Sequence, residues 1–172
     1  MNEFDACAMY AAMDAQRTSR GLSWTELAQA LWEQSMVLNR RRQDHPISSA
    51  TLLGISKRAD CTCQHALFIL RWLERPPEAF LVLPSTGANF ALPCAGDDER
   101  LRWNLAAVYA AMNEHRRERR LTWRQLATRL HCTEHQVRGL RTARFAIGMR
   151  HVMGIVQWLE RPAASFIYAA HW

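Results

Sequence analysis

The chain has 172 residues, 49% of them hydrophobic, and a formal net charge of +6. That length and apolar content fit one domain or two small ones with a core of their own and exclude a disordered polymer. No apolar run approaches the roughly 20 residues needed to cross a bilayer, and the opening "MNEFDACAMY" carries acids where a signal peptide carries bases, so a cytoplasmic location is expected.

In chain order, apolar residues at helical spacing predict a first helix over 4–19. "SWTE" (23–26) has the Ser/Thr-x-x-Glu/Gln form in which the first side chain caps an open amide and the fourth reaches back, which sets the start of a second helix. "ELAQALWEQSMVLNRRR" reads as one long amphipathic continuation, broken before Pro46. Ser48 or Ser49 opens the next helix, an apolar helix covers 62–74, and "PPEAFLVL" suits a short helix with proline at its first position. "FLVL" and "NFAL" are weak strand signals, and residues 84–98, rich in Pro, Gly, Ser and Asn, read as a linker. Asp97 and Asp98 are then expected to cap a helix over 99–118. Boxes at "TWRQ" (122–125) and "TEHQ" (133–136) start two more, an apolar helix spans 148–160, and "PAASFIYA" suits a last short one.

These elements come twice. Shifted by 99 residues, "YAAMDAQRTSRGLSWTELAQAL" (10–31) falls on "YAAMNEHRRERRLTWRQLATRL" (109–130) with eleven identities and no gap. Gly54 then meets Gly139, His65 meets His151 and Trp72 meets Trp158 at an offset of 85 or 86, and "WLERP" recurs at 72–76 and 158–162. The first copy therefore holds about fourteen extra residues between Leu31 and Ser48. A period near 90 predicts two duplicated domains, 1–83 and 99–172, not a solenoid. Their charges differ: residues 1–82 balance nine bases with nine acids, whereas residues 100–172 carry thirteen bases and four acids, a net +9. A polyanionic partner is expected for the second copy alone.

In that copy Leu126, Leu130, Cys132, Val137 and Leu140 fall where two short, steeply crossing helices would bury them, with the small Ala127 at the crossing. The segment resembles the helix-turn-helix of the λ-repressor-like (Cro/C1, or XRE) family of bacterial and phage regulators. The likeness covers nearly all of 100–168, and it departs at His131, where the family usually has glycine in the turn. The resemblance implies an all-α fold of two tandem λ-repressor-like domains, the first with an insertion in its turn. It further implies a recognition helix from Thr133 to Arg144 lying in the major groove. Glu134 and His135 match the base-reading positions, beside Thr133 and Gln136; Gly139 leaves room for close approach; and Arg138, Arg141 and Arg144 share one side, within reach of bases or phosphates. Arg124 and Gln125 stand where the preceding helix would hold a phosphate.

The first copy keeps Leu27, Ala28, Leu31, Leu52 and Ile55 but has Leu53 and Ser56 in place of Arg138 and Arg141. That neutral face suits docking to a protein or a second chain. A second DNA contact through Arg40, Arg41, Arg42, Ser48, Ser49, Lys57 and Arg58 is the alternative. Five scattered cysteines suggest free thiols, "CTC" at 61–63 lacks a metal-site spacing, and His65 and His151 read as core-edge residues inherited in both copies. No nucleophile-base pair or phosphate-binding glycine loop is present, so neither an enzyme nor a cofactor is expected. The expected function is transcriptional regulation through double-stranded DNA at the nucleoid, by a homodimer or by a pseudo-dimer within one chain. The rival is a protein-interaction module, such as an anti-activator, that keeps the helix-turn-helix core with little DNA binding.

Overall fold

The computed structural model describes residues 3–83, 91–142 and 147–172. The chain is mostly helical, in keeping with an all-α class. Its α-helices are α1 (Ala6–Ser19), α2 (Trp24–Glu33), α3 (Met36–Arg40), α4 (Ser49–Arg58), α5 (Cys63–Leu73), α6 (Leu105–Glu118), α7 (Trp123–Arg129), α8 (Glu134–Gly139) and α9 (Met149–Trp158). Short 3-10 turns occupy Pro77–Phe80, Leu140–Thr142 and Ala163–Phe166, and strands β1 (Arg100–Trp103) and β2 (Ile167–Ala170) pair antiparallel. Among the described residues no helix is long and apolar enough to cross a membrane.

Local chemistry sets most helix ends. Ser23, Thr122 and Thr133 each accept a hydrogen bond from the amide three residues on, and Glu26, Gln125 and Gln136 reach back, completing all three boxes expected from sequence. Asp5, Ser48, Thr62 and Asn104 cap α1, α4, α5 and α6. Six helices end with a residue in the left-handed region: Gly21 after α1, Ala59 after α4, Glu74 after α5, Arg120 after α6, His131 after α7 and Glu160 after α9. In all of these but α4, the left-handed residue and the one after it donate their amides back to the last turn, as Glu74 does to Arg71 and Arg75 to Leu70, or Glu160 to Gln157 and Arg161 to Val156. "WLERP" is this terminator: Trp and Leu pack inward, Glu turns left-handed, Arg closes the loop over Phe80 or Phe166, and proline bars further helix.

Several expectations need correction. Residues 100–103 are strand, not helix; Asn104 caps α6, and the Asp97 carbonyl instead accepts the amides of Val37 and Leu38 at 3.0 and 3.2 Å. "PAASFIYA" is helical only to Phe166 and then forms β2, because Ile167 and Ala170 are buried against β1. Of the strand signals, Leu81 makes one isolated bridge to Phe4, and Ala91 and Leu92 form no strand. The long helix after Glu26 breaks at Gln34–Ser35. Gln34 Nε2 donates to the Leu31 and Phe68 carbonyls, each at 3.0 Å, and buried Ser35 donates its hydroxyl to the Glu99 carbonyl at 2.6 Å.

The same contacts occur in both halves. Tyr10 stacks on Trp24 and Tyr109 on Trp123, with ring centroids 5.5 and 5.7 Å apart. Arg17 lies over Trp24 while donating to the Leu22 carbonyl, and Arg116 lies over Trp123 while donating to that of Leu121. The Asp5 amide meets the Phe80 carbonyl and the Asn104 amide that of Phe166, both at 2.7 Å.

One cluster of buried side chains runs through both halves. Residues 91–99 lie against α3 and α5, where Arg71 donates to the Ala95, Gly96 and Glu99 carbonyls. Arg100, 4% exposed, places its guanidinium 4.5 Å from the Trp32 ring and 5.8 Å from Phe68. It pairs there with Asp44 at 2.5 Å and donates to the Asn39 side chain. Buried Glu78 accepts the Ala163 amide at 2.6 Å.

Cys61 and Cys63 are buried at this junction, and burial pushes their thiols up to about 12 and about 11, whereas Cys7 and Cys94 are exposed. A hydrogen bond from Arg42, and then one from Arg100, holds the Asp44 carboxyl below its usual value against the opposing effect of burial. Replacing Arg100 by Ala should cost about 3 kcal/mol in urea unfolding, because it removes one of the two arginines paired with Asp44 and leaves a hole beside Trp32. The deficit of Asp44→Asn relative to the parent should be full above the ordinary Asp pKa of about 4 and shrink as pH falls through the lower folded value.

Candidate nucleic-acid interface

Leu126, Ala127, Leu130, Val137 and Leu140 are all buried, which locks α7 and α8 across one another. The turn between them closes with two hydrogen bonds, from the His131 amide to the Thr128 carbonyl (3.2 Å) and from the Cys132 amide to the Ala127 carbonyl (3.0 Å). Closure requires a left-handed residue, and His131 supplies it at φ 52°. The glycine expected there by resemblance is thus replaced with no change in backbone sign.

With the apolar side fixed inward, α7 and α8 turn a polar side outward. Arg124, Gln125, Thr133, Glu134, His135, Gln136, Arg138 and Arg141 are exposed. Glu134, His135, Arg138 and Gly139 line a shallow concavity. Arg138 pairs with Glu134 at 3.3 Å, one turn apart, an exposed contact that exchanges readily for a stronger acceptor. The Gln125 and Gln136 side-chain oxygens accept the Thr122 and Thr133 amides at 2.8 Å, which orients both side chains and leaves their Nε2 groups as donors. Among the described residues no atom outside its own helix backbone lies within 4 Å of where a Cβ on Gly139 would stand. The helix is shorter than the 133–144 expected: α8 ends at Gly139 and a 3-10 turn carries Leu140–Thr142. Arg144 lies outside the described residues.

The residues weighed as a second contact are more scattered in their chemistry. Ser48 is spent as the cap of α4, Ser49 is half-buried, and Lys57 and Arg58 are exposed. The Arg58 guanidinium folds back over Gly54, within 2.6 Å of an ideal Cβ there. Arg40 and Arg41 are exposed, but Arg42 is tied to Asp44 at 2.6 Å within the junction. Leu53, in the position aligned with Arg138, is 40% exposed.

A cleft of about 270 Å³ joins the halves beside the turn, lined by Glu3 and Asp60 from the first and by His131, Cys132, Gln136 and His151 among others from the second. The sequence alone does not reveal it, because its walls come from segments at least 70 positions apart. Burial lowers the pKa of His151, opposed by a hydrogen bond to the Gln136 backbone and by the charge of Asp60; burial and then Arg58 lower that of His65. Both histidines are half-buried, and the described residues contain no cluster able to hold a metal.

Comparison with protein-family models, with curated proteins and with solved structures returns no match to this chain.

Because a left-handed turn residue bearing a Cβ is strained, His131→Gly should raise the unfolding free energy by about 0.5–1 kcal/mol, measured by urea denaturation. A loss of stability instead would show that the imidazole holds the turn by contacts of its own.

Proposed function

We propose that the chain is a sequence-specific DNA-binding transcriptional regulator, a tandem duplication of a λ-repressor-like helix-turn-helix domain that reads the major groove chiefly with α8. The observation that carries the reading is the division of α7 and α8 into a buried apolar side and an exposed side of Arg, His, Gln and Thr, within a half of net charge +9. Bases in the groove offer acceptors to Arg138 and mixed groups to His135, while Arg124, Gln125 and Arg141 are donors for the phosphates on either side. The duplication is supported by the matched Tyr–Trp stacks, arginine caps and helix terminators. A protein-interaction role for the first half is favoured by one observation, the exposure of Leu53 and Met36 at 40% and 42% on a half without net charge.

Salt and two substitutions test the DNA reading. Affinity for a selected duplex should fall steeply with salt, and Arg138→Ala with Arg141→Ala should flatten the log–log slope by up to about 1.8 if both contact phosphate. Full binding by that double variant would remove α8 from the interface. Gly139→Ala separates a reading face from a merely solvated one. With nothing inside the protein to oppose a Cβ, stability should hold or rise by up to about 1 kcal/mol, while DNA affinity should drop because the new methyl intrudes between helix and groove.

A further inference from the structure

The halves meet through a reciprocal pair of backbone hydrogen bonds. The Cys63 amide donates to the Ile147 carbonyl and the Met149 amide to the Cys61 carbonyl, both at 2.7 Å, around an antiparallel bridge between Thr62 and Gly148. Under the 86-residue offset that aligns Trp72 with Trp158, Cys63 is the mate of Met149, Thr62 of Gly148 and Cys61 of Ile147. Residues that meet their own equivalents in this reciprocal way make the contact of a twofold dimer, here closed inside one chain. The amides and carbonyls that a second copy would need for this contact are already paired. The insertion of the first half then clamps the arrangement in cis, through Ser35, Val37, Leu38, Asn39 and Asp44 against residues 97–100.

This local dyad also places α4. It ends at Arg58, a few residues before the bridge at Thr62, as the turn after α8 ends at Thr142, a few residues before Gly148. The two helices thus precede the bridge in the same chain order. Their outward chemistry differs: where α8 shows His135 and Arg138, α4 shows Ala50 and Leu53, both exposed, with Lys57 one turn beyond Leu53. Hydrogen-bonding side chains discriminate guanine and adenine edges, whereas the apolar feature of the major groove is the thymine C5-methyl.

Resting on the reading of α8 as the DNA-facing helix, we infer that one chain binds one asymmetric duplex site as a built-in pseudo-dimer, with α8 on a hydrogen-bonded half-site and α4 on a thymine-methyl half-site. The insertion, which replaces the short turn of the second half, serves to hold the halves in register, and Lys57 meets the phosphate beside the thymine contact.

The test uses the full chain and duplexes selected from a random pool. Sedimentation of the saturated complex should give one chain per duplex, and footprinting should show two protected segments about 34 Å apart without inverted-repeat symmetry. Replacing thymine by uracil in the segment away from the α8 contacts removes only methyl groups and should weaken binding about fourfold per contacted methyl. Leu53→Ala, at an exposed position, should abolish that sensitivity without changing the protection on the α8 side. Two chains on an inverted repeat, protection confined to one segment, or indifference to uracil would each overturn this inference while leaving DNA binding intact. Absence of binding to any duplex at low salt would instead overturn the DNA reading itself, and this inference with it.

Discussion

The arrangement of the two halves depends on a single buried cation. Arg100 opens β1 of the second half but lies between Trp32 and Phe68 of the first, paired with Asp44 and bonded to Asn39. A guanidinium at 4% exposure is tolerable only where carboxylate, amide and ring faces replace water together, and those partners come from α2, the insertion and α5. Its Nε finds no acceptor among the described residues, and separating the halves would strip Arg100 of its ring and carboxylate partners and leave Asp44 with Arg42 alone. The extra residues of the first copy thus have a structural role that their basic run Arg40–Arg42 conceals: Arg42 is committed to Asp44, and only Arg40 and Arg41 face solvent.

The helix ends show how a sequence can specify sharp turns with almost no glycine. Five of the six left-handed terminators are Ala, Glu, Arg or His, each carrying the modest strain of a Cβ in that region. What offsets the strain at Glu74, Arg120, His131 and Glu160 is the pair of amide-to-carbonyl bonds that satisfies the last turn, and after Glu74 and Glu160 an arginine follows that packs over Phe80 or Phe166. Such turns leave little freedom in the angle between consecutive helices. In α7 and α8 that closure, at His131 and Cys132, fixes the exposed Arg138 and His135 relative to Arg124 and Gln125.

The two halves share several contacts and differ both inside, where buried Phe68 aligns with Gly154 and Cys63 with Met149, and outside. Tyr10 and Tyr109, Arg17 and Arg116, and Glu74 and Glu160 do the same work in each, whereas Leu53 and Arg138 give the matched helices opposite chemistry. Interior positions answer to packing, which penalises change in volume or shape.

The linear chain was enough to establish what depends on neighbours a few residues away. Ser23, Thr122 and Thr133 announced their caps, and Leu126, Ala127, Val137 and Leu140 announced a buried seam, because capping and helical periodicity act over three or four positions. The exposed face opposite that seam was legible for the same reason. What lay beyond reach were the features set by distant segments: β1 and β2, whose partners are some 70 positions apart, the break at Ser35, whose hydroxyl answers to Glu99, and the bridge of Thr62 to Gly148. A residue read alone as helix or linker becomes strand or junction when a remote carbonyl accepts its hydrogen bond, and that carbonyl is brought near only by the packing of the whole core.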